Sequence, residues 1–274
     1  MVLSTKALME KDYFHVETIS QRIKLYDLPA EMNEEQMNEL EEIAADKNCD
    51  KVIAYVRAGD EQTLEDLSFH MEAEIKGFFQ GEDAKVYAKF LDAERNQPDP
   101  DNVITQVREM NITSPSSKPL PEGYQMVWGT KAHAEDMAAF YSTIFDTYPT
   151  PIDDPEYIVQ MMDDDVYFSL IYFGDELVSA CSADVFTDFN AAEFTDCATS
   201  PDHRGKGLLS RQYPMLERKM NELGVQTMFT YTRAISMGMN IVAAQHGFSF
   251  GGCLVQNSMI GTGIEDMNMW YKQL

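Results

Sequence analysis

Basic residues are scarce in this 274-residue chain, where 21 lysines and arginines stand against 46 aspartates and glutamates for a formal net charge of -25. Nucleic acid and anionic membrane are gripped through Lys and Arg, so neither is expected as a partner. The four cysteines, Cys49, Cys181, Cys197 and Cys253, are far apart and form no C-x-x-C pair. Reduced, mostly buried thiols are therefore expected. No apolar run reaches the length that crosses a bilayer, and the N-terminus shows no basic flank leading into an apolar stretch; the expected location is the cytoplasm. Gly-x-Ser-x-Gly, His-Glu-x-x-His and phosphate-loop Gly-Lys-Ser/Thr motifs are absent. The clusters Asp153-Asp154 and Asp163-Asp164-Asp165 have no histidine at ligand spacing, so no metal is expected.

What is present suffices for folded cores: 44% of residues are hydrophobic and 11% aromatic, and the length suits two ordinary domains. The acidic excess has two explanations, a binding face for a cation or adaptation to concentrated intracellular salt, where screening makes dense charge tolerable. The even spread of acids along the chain favours the second. From about 96 to 124 the composition turns to Pro, Ser and Asn, with Pro98, Pro100, Pro115, Pro119 and Pro121, which reads as a linker. An N-terminal domain over 1–115 and a second over 116–274 follow.

Upstream, the patterning predicts strands near 13–20 and 22–27, a helix over 33–46, a strand at 51–57, a helix over 61–70, and strands near 72–79 and 84–91. Downstream it predicts helices near 131–145 and 155–162, strands at 166–173, 176–185 and 192–199, and a helix over 207–223. A strand at 226–232, a helix over 236–246 and strands at 248–259 and 265–271 close the chain. The fold class is α/β, a mixed sheet with helices. Both halves end in helix, strand, helix, hairpin, and "VIAYVRAG" (52–59) echoes "MFTYTRAI" (228–235), which points to a weak internal duplication.

The chemistry is concentrated in "TDCATSPDHRGKGLLS" (195–210). A strand runs into Pro201, then into the turn Arg204-Gly205-Lys206-Gly207, then into a helix. Glycines let successive N–H groups curl around one concavity, and a helix N-terminus adds unpaired donors and positive dipole. Arg204, Lys206, Arg211, Arg218 and Lys219 form a positive island in an acidic chain. A polyanionic ligand such as a diphosphate fits both features. The Gly-x-Gly turn lies too far into its domain, and lacks the third glycine, for a dinucleotide fold.

Pro-x-x-Arg-Gly-x-Gly-Leu between strand and helix resembles the coenzyme A pyrophosphate loop of the GNAT superfamily of N-acetyltransferases, and Gly247-Phe248 matches that family's frequent Gly-Phe. The resemblance covers the downstream half and implies a GNAT fold there, with a smaller GNAT-like half-domain before it. It also implies acetyl-CoA as co-substrate and a coenzyme site at Cys197, Ala198, Thr199, His203, Arg204, Gly205, Lys206, Gly207, Leu208 and Leu209, with Asn240 at a further coenzyme-contacting position. Two positions depart from the pattern. Asp202 stands where Gln or Arg is frequent, and Ala243 where many members carry a thiolate-protonating tyrosine. "AEFTDCATSPDHRGKGL", "YTRAISMGMN" and "MNMWYK" further resemble the beta-lysine N-acetyltransferases of methanogenic archaea and some bacteria. That resemblance implies a small-molecule amine substrate, the terminal amine of beta-lysine; a homodimer is compatible with it.

Amine acetylation needs a base, because an amine near pKa ~10.4 is protonated at neutral pH. Asp196 is the preferred candidate and Glu193 the alternative. Three apart on a strand, they point to opposite faces unless a bulge intervenes. A backbone N–H near 197–199 is the expected oxyanion donor. Cys197 lacks a local histidine to activate it and reads as structural. Arg233 could bind a substrate carboxylate, although Arg57 at the equivalent place upstream speaks for a structural role. Pro214 is expected to kink its helix.

Overall fold

Strand β3 (Lys51–Arg57) shows how the chain builds two cores at once. Side chains alternate across a strand, so Val52, Ala54 and Val56 join one hydrophobic core while Ile53 and Tyr55 join another on the opposite face. The computed structural model describes residues 14–28, 33–57, 59, 61–115 and 119–274. Tyr13 of the first expected strand, Ala58 of the echoed string and Ser116–Lys118 of the expected linker lie outside the described residues.

The N-terminal elements are β1 (Phe14–Glu17), β2 (Arg22–Leu25), α1 (Glu34–Asp46), β3, α2 (Glu61–Asp66), β4 (His70–Phe79) and β5 (Glu82–Phe90). A short helix, α3 (Ile104–Glu109), follows inside the stretch read as linker. Val103, Ile104 and Val107 give that segment an apolar face, and Val107 is buried in the core of the second half. The proline-rich composition concealed this spacing. The second half comprises β6 (Tyr124–Trp128), α4 (Ala134–Ile144), α5 (Pro155–Asp163), β7 (Val166–Phe173), β8 (Glu176–Phe186) and β9 (Ala191–Thr199). It continues with α6 (Leu208–Glu222), β10 (Thr227–Arg233), α7 (Met237–Gln245), β11 (Ser249–Ile260) and β12 (Gly263–Gln273). The edge strand β6 has no counterpart in the sequence expectation, the helix expected to 70 stops at Asp66, and α6 runs on through Pro214.

All described strands share one sheet in the order β1-β2-β3-β5-β4-β11-β12-β10-β9-β8-β7-β6. Within it, β1 to β5 pair as β8 to β12 do. The first two strands of each set are antiparallel, the second and third parallel, and the last two form a hairpin whose outer member pairs with the third. The sets meet where β4 and β11 pair antiparallel, Ala73 opposite Gly252. A Cβ on Gly252 would lie 2.1 Å from the Glu72 carbonyl oxygen, and one on Gly251 2.3 Å from that of Glu74, so this join requires glycine. An aromatic core fills the space between the halves: Tyr26, Tyr55, Phe78 and Phe79 from one, Phe189 and Phe229 from the other. Among the described residues no helix is long and apolar enough to cross a membrane.

Beyond the join, β11 bulges by two residues between Leu254 and Ser258. Three successive carbonyls of the bulge each accept from a cation of the first half. Lys51 Nζ reaches Val255 O at 2.5 Å, Arg95 Nη2 reaches Gln256 O at 2.7 Å, and Arg22 Nη1 reaches Asn257 O at 2.5 Å. Each cation has its own carboxylate, respectively Glu72, Asp50 and Glu17. Lys51 has no solvent exposure, and burial pulls its pKa down to about 8 in spite of Glu72. Breaking a buried pair leaves a charge uncompensated. Lys51→Met should therefore cost about 3–5 kcal/mol of stability in urea unfolding; a loss under about 1 kcal/mol, the scale of a surface pair, would show that the clamp is not structural.

Candidate active site

Strand β9 is paired with β8 as far as Thr199 but with β10 only as far as Phe194. Beyond that point β9 and β10 part, and the β10 side of residues 195–199 has no strand partner. The pairing with β8 is itself interrupted. Ser182 faces Thr195 and Ala180 faces Ala198, so Cys181 opposes both Asp196 and Cys197. Asp196 has left-handed φ, 52°. This is the bulge on which the relation of Glu193 to Asp196 depended, and both residues line one cavity of about 810 Å³.

The two carboxylates differ in surroundings. Asp196 is 4% exposed; it accepts from Ser182 Oγ at 2.5 Å and Tyr148 Oη at 3.0 Å, while its backbone carbonyl accepts from Tyr141 Oη at 2.9 Å. Burial raises its pKa, and these hydrogen bonds oppose the rise. Glu193 faces the cavity directly opposite Asp184 of β8. Burial raises Glu193 to about 8, opposed by Lys24 and reinforced by Asp184 and Asp196. Asp184 is raised to about 6 by burial and by Asp196, again opposed by Lys24. Two neighbouring carboxyls in an enclosed space cannot both ionise freely.

Helix α6 starts beside this strand. Gly205 (φ 74°) and Gly207 (φ 68°) are left-handed, and a Cβ on Gly205 would meet nothing within 4 Å. Gly207 caps α6 without a side-chain hydrogen bond, and no acid occupies the first turn. Arg211 takes the carbonyls of Lys206 and Gly207 at 3.0 and 2.6 Å, turning carbonyls away from the free helix end. Arg204 is tied to Thr199 O at 3.0 Å, Lys206 to Asp202 O at 2.7 Å, and His203 to Tyr124 Oη at 2.7 Å. Leu208 and Leu209 are buried and offer only backbone to the loop. Glycine turn, uncapped helix and surrounding cations fit a diphosphate.

Two expected residues are otherwise engaged. Asn240 is fully buried, bonded to Thr232, Asn268 and Trp270 and to the carbonyls of Arg233 and Ser236. Its amide locks α7 to the hairpin and does not reach the loop. Arg233 is bound bidentately by Glu265 at 2.7 and 2.5 Å. Ala243 is buried in a cluster with Tyr213 of α6, whose hydroxyl has no hydrogen-bond partner. Cys197 and Cys181 are free thiols on adjacent strands. Sequence reasoning missed Asp184, Ser182, Tyr148 and the contributions of β1, β2 and the residue after β2, namely His15, Glu17, Arg22, Lys24 and Tyr26, all of which line or support the cavity. None belongs to a motif; only the paired topology brings them here. Among the described residues no group of His, Cys, Asp and Glu could hold a metal ion.

The model of the acetyltransferase (GNAT) family matches residues 134–248. N-acetyltransferase YodP of Bacillus subtilis is 34% identical over 84% of this chain and 85% of that protein. The chain belongs to the GNAT acetyltransferases and is an acetyl-CoA-dependent N-acetyltransferase. Two further relatives bear the name Beta-lysine N(6)-acetyltransferase. The protein of Methanosarcina mazei is 30% identical over 88% of this chain and 97% of its own length. That of Methanococcus maripaludis is 27% identical over 94% of each.

The raised pKa of Glu193 has a thermodynamic consequence. An unfolded glutamate titrates near its ordinary 4.5 while Glu193 in the fold titrates at about 8, so stability falls as pH climbs from the lower value through the higher. Glu193→Gln removes that loss. The melting-temperature advantage of the variant should grow from about pH 5 to about pH 9; a difference that does not change with pH would mean Glu193 titrates normally.

Proposed function

We propose that this acetyltransferase acts on the terminal amine of a small diamino acid, beta-lysine, to give the osmolyte N6-acetyl-beta-lysine. The names of the two methanogen relatives support the substrate. The observation that carries the reading is the facing pair Asp184 and Glu193 in a cavity beside the open stretch of β9. A cavity rich in carboxyls attracts ammonium groups. Deprotonating an ammonium near pKa ~10.4 at neutral pH costs about 4–5 kcal/mol, and a carboxylate at about 8 is a far better acceptor than an ordinary one.

The sequence-based preference for Asp196 as base reverses on this ground. Asp196 has two hydroxyl donors already, whereas Glu193 presents a basic carboxyl to the cavity. Glu193 takes the proton, and Asp196 is held in place by Ser182 and Tyr148. Acetyl-CoA supplies the acyl group as a thioester: the amine nitrogen bonds to the acyl carbon, the carbon–sulfur bond breaks, and coenzyme A leaves as a thiolate that takes up the second amine proton. Backbone N–H groups from Gly205 to Leu209 hold its diphosphate, Arg204 and Lys206 add charge, and His203 fixes the loop to Tyr124. The unpartnered edge at Cys197, Ala198 and Thr199 offers N–H groups to the thioester oxygen.

On the same reading residues 1–115 are a partial repeat of the catalytic fold of 116–274, without a coenzyme site. The repeated strand pairing supports this, and so does the start of α1. There Asn33 and Gln36 form a capping box and Glu34 and Glu35 occupy the first turn, an end that repels anions. Calorimetry should return one coenzyme A per chain, and Gly207→Val, folded, should bind none; a second equivalent site would refute the repeat's inactivity. Across a panel of primary amines at molar potassium, beta-lysine should give the highest kcat/KM. Another amine exceeding it would displace it as substrate.

A further inference from the structure

A diamino acid brings a carboxylate into a cavity already crowded with carboxyls, so some cation must receive it. Among the described residues, three lysine or arginine side chains line this cavity: Arg22, Lys24 and Arg233. Arg233 is bound bidentately by Glu265. Arg22 is satisfied on all three nitrogens: Nε and Nη2 by Glu17 at 2.6 and 2.5 Å, Nη1 by Asn257 O at 2.5 Å and Ser258 Oγ at 2.9 Å. Lys24 differs. Its ammonium meets Glu17 Oε1 at 3.0 Å and lies 5.5 Å from the centre of the Tyr231 ring. An ammonium has three donors, and one carboxylate oxygen and a ring face leave it able to take a further anion. Glu17 is itself held ionised, its pKa drawn down to about 2 against burial by Arg22 and Lys24. It is therefore a fixed anchor for the Lys24 side chain.

Position along the cavity matters as much as charge. Lys24 opposes the raised pKa of both Glu193 and Asp184 but has no part in that of Asp196. Glu193 feels both Lys24 and Asp196. Glu193 sits across from Asp184 on β8, and Asp196 lies farther along β9, past its last pairing with β10 at Phe194.

We propose that Lys24, contributed by the N-terminal half and positioned by Glu17, binds the substrate carboxylate and so selects amino acids carrying a distal amine over diamines that lack a carboxylate. The carboxylate docks at the Lys24 end, and an extended substrate then delivers its far amine to Glu193. An amine close to the carboxylate stays short of the coenzyme. This assignment rests on the diamino acid reading above, and it gives the N-terminal half a function in choosing the substrate.

The experiment compares kcat/KM for beta-lysine with kcat/KM for its decarboxylated diamine, using the full chain. Wild-type enzyme should favour the amino acid by about 100-fold, the scale of a charge-assisted contact. Lys24→Met should collapse that ratio to near unity through a rise in KM for the amino acid, with coenzyme A affinity retained as evidence of folding. Lys24→Arg, which keeps the charge, should hold the ratio within about tenfold of wild type. If Lys24→Met leaves the ratio unmoved, or lowers both substrates alike, the assignment to Lys24 is overturned alone. If wild-type enzyme acetylates neither compound, the diamino acid reading falls and this assignment falls with it.

Discussion

Three adjacent carbonyls in one bulged strand govern the assembly of this molecule. Val255, Gln256 and Asn257 of β11 are turned out of register, and Lys51, Arg95 and Arg22 of the first half close on them. Burying one such cation without partners would cost several kcal/mol. Each cation here finds a carboxylate as well as a carbonyl, so the arrangement works only as a complete set. It also extends into the cavity: Arg22, fixed to Asn257, fixes Glu17, and Glu17 fixes Lys24. The contact that joins the halves is thereby continuous with the wall of the cavity.

Within the cavity, neighbours rather than residue type decide how each acid behaves. Glu17 sits between two cations and is held near 2; Asp184 and Glu193, farther from Lys24 and opposite one another, rise to about 6 and about 8. The same carboxyl chemistry thus gives a permanent anion at one end and a proton acceptor at the other. The parting of β9 from β10 after Phe194 leaves open backbone just beyond Glu193 on the same strand.

The glycine turn before α6 was legible because what it requires of the chain is local. Gly205 and Gly207 need left-handed backbone, and the helix after them needs a free end; both requirements leave their mark within sixteen consecutive residues. Strands and helices of the second half were legible for a similar reason, their periodicity being short-range. The substrate cavity was not. Glu17 and Lys24 read as ordinary charges on two short strands, and the join of β4 to β11 brings those strands' half against the cavity that holds Glu193. The bulge at Asp196 could be named as a condition but not foreseen, since its position follows from the register of β8 against β9. The linker misled for the opposite reason: prolines dominated a stretch whose buried face consists of three spaced aliphatic residues.

The clamp also bears on the order in which the chain can acquire its structure. Arg22 and Asn257 are separated by 235 positions, so the carbonyls that receive Arg22, Arg95 and Lys51 are synthesised long after those cations. Until then the three cations of the emerging first half have their carboxylates, Glu72, Asp50 and Glu17, but not the carbonyls. Its strands can pair locally, but their final burial waits for the last hairpin. Completion of the cavity wall in this sense waits for β11, and a chain cut short before that strand would lack the cavity as well as its closing strands.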